Sequence, residues 1–148
     1  MADAIVQYRE GIRLDPNSPA ALNNLAWILA TGPDPKFRNP ARAVQLAKKA
    51  VELEPKQGMW WKTLGAAQFR AGDWTATIEA MNKSMEFRKG GDAFDWFFLA
   101  MAHWKLDQKE EARKWYAQAV GWTEKNQPNS EELRRFRAEA AELLELKK

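Results

Sequence analysis

One spacing pattern recurs along this chain and decides most of what it can fold into. Ala4, Ile5, Tyr8, Gly11, Ile12, Leu14 and Pro16 align with Ala43, Val44, Ala47, Ala50, Val51, Leu53 and Pro55. A third copy is Thr77, Ile78, Met81, Ser84, Met85 and Phe87, and a fourth is Ala112, Arg113, Tyr116, Ala119, Val120 and Trp122. A second pattern precedes the last three: Leu22, Leu25, Ala26; Trp61, Leu64, Gly65; Trp96, Leu99, Ala100. The two stay in step, which is the mark of a repeat architecture. Apolar spacings of three and four are helical. Small residues recur where helices must approach closely: Ala26, Gly65 and Ala100 on the leading helix, and Gly11, Ala50, Ser84 and Ala119 on the trailing one. Each unit is therefore a pair of antiparallel helices, which buries its apolar face only by stacking on its neighbours.

The residues carry a family resemblance. Trp61-Lys62-Thr63-Leu64-Gly65, the Ala-x3-aromatic pairs Ala4/Tyr8 and Ala112/Tyr116, and the closing Pro16 and Pro55 resemble the tetratricopeptide repeat over residues 3–126. Thr77 departs from the usual Ala, Gln68 and His103 from a common aromatic, and Lys89 and Glu124 from the closing Pro. The segment Asp92–Leu144 is also similar to repeat arrays in large bacterial signalling proteins. The resemblance implies an all-α, right-handed solenoid whose leading helices line a concave inner face.

Capping residues place the helices. Ser18-Pro19 and Asn39-Pro40 put a capping side chain before a proline at the first helical position. Asp107-x-x-Glu110 reads as a capping box, and Gly72-Asp73 and Gly90-Gly91-Asp92 read as stops followed by caps. The expected helices are 3–15, 19–31, 40–54, 58–71, 74–89, 93–106, 108–126 and 130–146. They divide the chain into a trailing half repeat (3–18), a repeat with a five-residue insertion (19–57), two further repeats (58–91 and 92–127) and a capping helix (129–147).

The insertion lies in Thr31–Pro40, where three prolines and a glycine forbid a continuous helix. Phe37 and Arg38 either form a lip for a partner or pack back on the array. The last helix carries Leu133, Phe136, Ala140, Leu143 and Leu144 on one stripe and reads as a solvent-facing cap. The first helix lacks a leading partner, so Ile5, Tyr8 and Ile12 are expected to be short of one neighbour and to support self-association through helix 3–15.

Chemistry is sparse. The 148 residues contain no cysteine, which excludes disulfides, thiolate-ligated metals and thiol catalysis. The one histidine, His103, lies mid-helix between Ala102 and Trp104, without a nucleophile motif or a second ligand, and reads as structural. Neither a phosphate-binding glycine loop nor a metal set is present, and no cofactor is expected. A net charge of +3 with interleaved acids is a poor basis for nucleic-acid binding. No apolar run reaches the ~20 residues of a membrane span. A signal peptide is not evident, and the expected location is a reducing cytoplasm.

Protein binding remains. Helical spacing on the expected inner face gathers Asn23, Asn24, Trp27 and Thr31; Lys62, Thr63, Ala66, Phe69 and Arg70; and Phe94, Phe97, Phe98, Met101, Trp104 and Lys105. Aromatics, Met and Arg are interface anchors, though some of these positions equally suit the core, as Trp61 and Trp96 do. The expectation is a non-catalytic scaffold with an aromatic and basic groove for a peptide or helix offering apolar and acidic side chains. The other reading is a structural spacer or self-association module. Reversing Lys62 and Arg70 to Glu is expected to abolish capture without lowering the melting temperature. The Lys/Asn/Arg clamp by which some relatives grip chaperone C-termini is absent: Asn23, Trp27, Thr63, Phe94 and Phe98 fill its positions in one register, and Met59 and Thr63 break it in the other.

Overall fold

The capping pattern decides where each helix starts. Ser18 Oγ accepts the Ala21 N–H at 3.3 Å, and Asn39 Oδ1 accepts that of Arg42 at 3.1 Å, each ahead of its proline. Asp73 and Ser130 do the same for Ala76 and Leu133. The computed structural model describes residues 2–146, and its regular elements are helical: α1 (Ala2–Leu14), α2 (Pro19–Thr31), α3 (Pro40–Leu53), α4 (Gly58–Arg70), α5 (Trp74–Phe87), α6 (Ala93–Lys105), α7 (Lys109–Asn126) and α8 (Glu131–Leu143), with a 3-10 turn at Pro35–Phe37. These bounds agree with the sequence reading to within a few residues.

The capping box lies elsewhere than expected. Asp107 adopts a left-handed φ of 61°, and Gln108, at the N-cap of α7, makes no side-chain capping bond. The reciprocal pair is Asp92 and Asp95 at the start of α6: Asp92 accepts the Phe94 N–H at 3.0 Å, and Asp95 accepts the Asp92 N–H at 2.9 Å. Asp107 serves as the turn residue instead, a left-handed position that Asp tolerates better than most.

Successive helices pack as antiparallel neighbours, and α2, α4 and α6 also pack on one another in a row. They form the inner layer, with α1, α3, α5 and α7 outside. Close approach depends on the small residues. A Cβ at Gly65 would stand 2.9 Å from Met81 Cε and 3.3 Å from Ala80 Cβ. One apolar cluster runs from α1 to α5, and a second from α4 to α8.

Of three local expectations, the first resolves to one of its two alternatives and the other two change. Phe37 packs against the first cluster, and the excursion is pinned: Asn39 N–H donates to the Leu29 carbonyl and Arg38 Nε to that of Gly32, both at 2.8 Å. In α1, Ile5 is buried and Tyr8 and Ile12 are half-buried against the same cluster; the residues short of neighbours are Val6 and Leu14, 63% and 71% exposed. Trp61 is half-buried rather than fully in the core, its Nε1 donating to the Pro55 carbonyl.

The largest difference concerns α8. It does not merely shield the end of the stack. It packs chiefly on α6, crosses the inner layer toward α4 and α2, and touches α7 through the Arg137–Glu124 ion pair at 3.2 Å.

Candidate functional site

The inner layer offers aromatic edges and cations, and α8 meets them with matching chemistry. Its stripe reads Glu132, Phe136, Glu139 and Leu143, spaced four, three and four apart, so all four lie on one helical face. Phe136 is fully buried. Its ring is edge-on to Trp27 at 6.0 Å and to Phe94 at 5.9 Å, and tilted on Phe98 at 5.1 Å. One residue of α8 thus fills a socket built from α2 and α6. Pairs of this geometry contribute about 0.5–1.5 kcal/mol each beyond area burial.

Polar contacts flank the socket. Trp27 Nε1 donates to Glu132 Oε2 at 2.7 Å. Arg70 binds Glu139 with both terminal nitrogens, Nη2 donating to Oε1 at 2.8 Å and Nη1 to the second oxygen, while its Nε donates to the Ala30 carbonyl at 2.9 Å. Arg135 Nη1 donates to the Thr31 carbonyl at 3.0 Å. Beyond Arg70, Leu143 enters a cleft of about 640 Å³ lined also by Phe69, Trp74, Lys105 and Glu142. Lys105 Nζ lies 5.4 Å from the Trp74 ring.

Beneath the socket lies a buried polar cluster. Lys62 Nζ stands 4.7 Å from the ring centres of both Trp27 and Phe94. Burial pushes its pKa down, with nearby Asp92, Asp95 and Glu132 pulling it back up against Arg88. Asp95 accepts from Ser84 Oγ at 2.8 Å and from Arg88 Nη1 at 3.0 Å. Its own burial, reinforced by Asp92, raises its pKa despite Arg88. Asn23 Oδ1, beside a small cavity of about 220 Å³ with Lys62, Thr63 and Glu132, is buried and lacks a hydrogen-bond partner among the described residues.

The expected lining is thus redistributed. Asn24 and Lys105 are exposed, and Trp27 and Arg70 are half-buried with α8 against them. Asn23, Lys62, Ala66, Phe69, Phe97 and Met101 are buried, not groove-exposed. Phe97 turns to Tyr116 of α7, and Trp104 lies under Lys109 and Arg113 of α7, so neither serves the inner face. Both lie on α6, which is apolar nearly all round and is covered on several sides by α5, α7 and α8. The double reversal of Lys62 and Arg70 can no longer be neutral for melting, since one side chain is buried and the other is paired to α8. His103 ties the α6–α7 turn, its Nδ1 2.6 Å from Gln108 Oε1. Glu132, Arg135, Phe136 and Glu139 were not anticipated as partners of the inner face. The available signal was an acidic–aromatic–acidic register opposite Lys and Arg.

Comparison with known proteins places this geometry among relatives. Residues 36–91 and 96–126 match family models described as tetratricopeptide repeat, together more than half of the chain. A curated relative, small glutamine-rich tetratricopeptide repeat-containing protein 2 of Mycosarcoma maydis, is 32% identical over 83 residues; the match spans 56% of this chain but only 22% of that protein. Two crystal structures of MamA share the fold at 19% identity. One has a TM-score of 0.64 over 95% of this chain and 86% of that chain, the other 0.65 over 96% and 78%. Among the described residues, no helix is long and apolar enough to cross a membrane.

Proposed function

The chain belongs to the tetratricopeptide repeat family, a family of non-catalytic protein-interaction scaffolds, and on that premise we propose that its inner face is a receptor for one amphipathic helix. The ligand helix carries an aromatic residue flanked by carboxylates four positions before and three positions after it. The observation that carries this reading is the seat of Phe136 between Trp27, Phe94 and Phe98, with Glu132 and Glu139 held on either side. Helix-in-groove recognition reads such anchors at helical spacing. In this state α8 is the occupant, so a partner must replace it. The residues that favour an acidic, apolar ligand are Arg70, Lys62 and the aromatic edges.

A synthetic peptide of residues 130–146 tests the reading against the full chain carrying F136A, whose own α8 no longer fills the socket. Fluorescence anisotropy should show at least tenfold tighter binding to F136A than to the unaltered chain. A peptide with the same Phe replaced by Ala should not bind. Equal, weak binding in all three combinations would remove the receptor reading. If F136A proves unfolded by circular dichroism, the pair R70E chain and E139R peptide replaces it.

A further inference from the structure

We infer that the occupant which replaces α8 is the α8 of a second copy, exchanged reciprocally to give a helix-swapped dimer; this rests on the receptor reading above. Four observations support it. First, α8 is a helix whose fit to the socket is on the page, and a second copy carries that helix by identity. Second, the anchoring contacts of α8 run to α2, α4 and α6, through Glu132, Arg135, Phe136 and Glu139, while its named polar tie to the adjacent α7 is the exposed Arg137–Glu124 pair. Leaving the rest of its own chain therefore costs α8 little that the groove of another copy does not return.

Third, the segment joining α7 to α8 is short. It is Gln127-Pro128-Asn129-Ser130, turned so that Ser130 N–H donates to the Gln127 carbonyl at 3.2 Å. Pro128 cannot continue a helix, so α7 and α8 stay separate elements that a change in this hinge reorients. Four residues reach at most about 14 Å when extended, enough to carry α8 outward from its own groove. Fourth, the closed and exchanged forms make the same side-chain contacts. Their balance is set by the effective concentration of the tethered helix, on the order of millimolar for a short linker, and by the hinge. Exchange of an identical element between protomers is a low-cost route to a closed dimer.

Charge reversal separates exchange from other association. R70E and E139R each oppose like charges in their own groove. In an exchanged heterodimer both grooves regain an opposite-charge pair: the R70E groove receives the E139R helix, and the other groove keeps the native Arg70–Glu139 combination. Native mass spectrometry of the mixture should show at least ten times more heterodimer than either homodimer, and the double variant R70E/E139R in one chain should return to monomer. A mixture that stays monomeric, or dimers in statistical proportion, overturns the inference. Deleting Pro128 and Asn129 from the otherwise unaltered chain should convert most of it to dimer at micromolar concentration, because α8 can then no longer fold back; an unchanged monomer also overturns it. Association through the exposed Val6–Leu14 side of α1 would ignore both the deletion and the charge pairing. Should either reversal fail to fold, unaltered chains in heavy and light isotopic forms at millimolar concentration give heavy–light dimers under exchange only after joint unfolding and refolding; heavy–light dimers on mixing folded chains alone, or none after refolding, overturn the inference. Peptide binding to F136A without any exchanged dimer would leave the receptor reading standing and remove only this one.

Discussion

Arg70 and Glu139 meet fork to fork across the inner face, with Nη2 to Oε1 at 2.8 Å and the second nitrogen on the second oxygen. Their side chains are 11% and 35% exposed, so water screens the pair only in part. Charge-assisted, two-point geometry of this kind is among the stronger polar contacts. A double-mutant cycle with R70A and E139A, read by urea denaturation, should give a coupling of about 2 kcal/mol. A coupling within error of zero would mean that this ion pair adds nothing to the hold on α8.

Phe136 is the apolar centre of the same contact. F136A removes a fully buried ring and should cost about 3–5 kcal/mol. Hydrogen exchange should locate the loss: α8 loses protection while α3, α4 and α5 keep theirs, because separable units open independently. Uniform loss along the chain would show that α8 and the repeats unfold as one.

Gly65 tests the close packing of α4 on α5. G65A gains about 1 kcal/mol of helix propensity, offset by displacement of the Met81 tip, whose Cε would lie 2.9 Å from the new carbon. The melting temperature should move by only a few degrees. G65L drives further atoms between Met81 and Ala80 and should cost about 3 kcal/mol by overpacking. An unchanged midpoint for G65L would contradict the close approach.

Asp95 makes stability depend on pH in an unusual direction for a carboxylate. Burial first, and Asp92 second, raise its pKa in the folded chain above the ordinary aspartate range. The folded state therefore binds the proton more tightly than the unfolded state, so stability from this group is full below about pH 4 and is lost as pH rises through the raised value. The groups that face it are Asp92, Arg88 and Ser84, with Lys62 nearby. D95N should lose that dependence. The stability difference between D95N and the unaltered chain should shift in favour of D95N as pH increases from 4 toward neutrality. A constant difference across that interval would place Asp95 at its ordinary pKa.

The repeat was legible because it is written several times. Leu22, Trp61 and Trp96 open equivalent helices, and prolines and capping side chains mark where α2 and α3 begin, so eight helices followed from local rules. The inner face was legible in composition but not in exposure. Helical spacing places Phe97 and Trp104 on α6 without saying which neighbour each ring meets, and the structure turns both to α7. The path of α8 was hidden for a similar reason. Its apolar stripe demands a partner surface, but an end cap and a groove occupant need the same stripe. Only the acidic flanks at Glu132 and Glu139 distinguish the two, and they do so only once Trp27 and Arg70 are known to stand opposite.

The excursion between α2 and α3 is fastened where it leaves and where it returns, by Arg38 on Gly32 and by Asn39 on Leu29. Its surplus length is therefore taken up between those two ties. A detour bolted at both landings is a splice point: foreign sequence threaded between Pro33 and Lys36 would ride outside the stack and leave every later step in place.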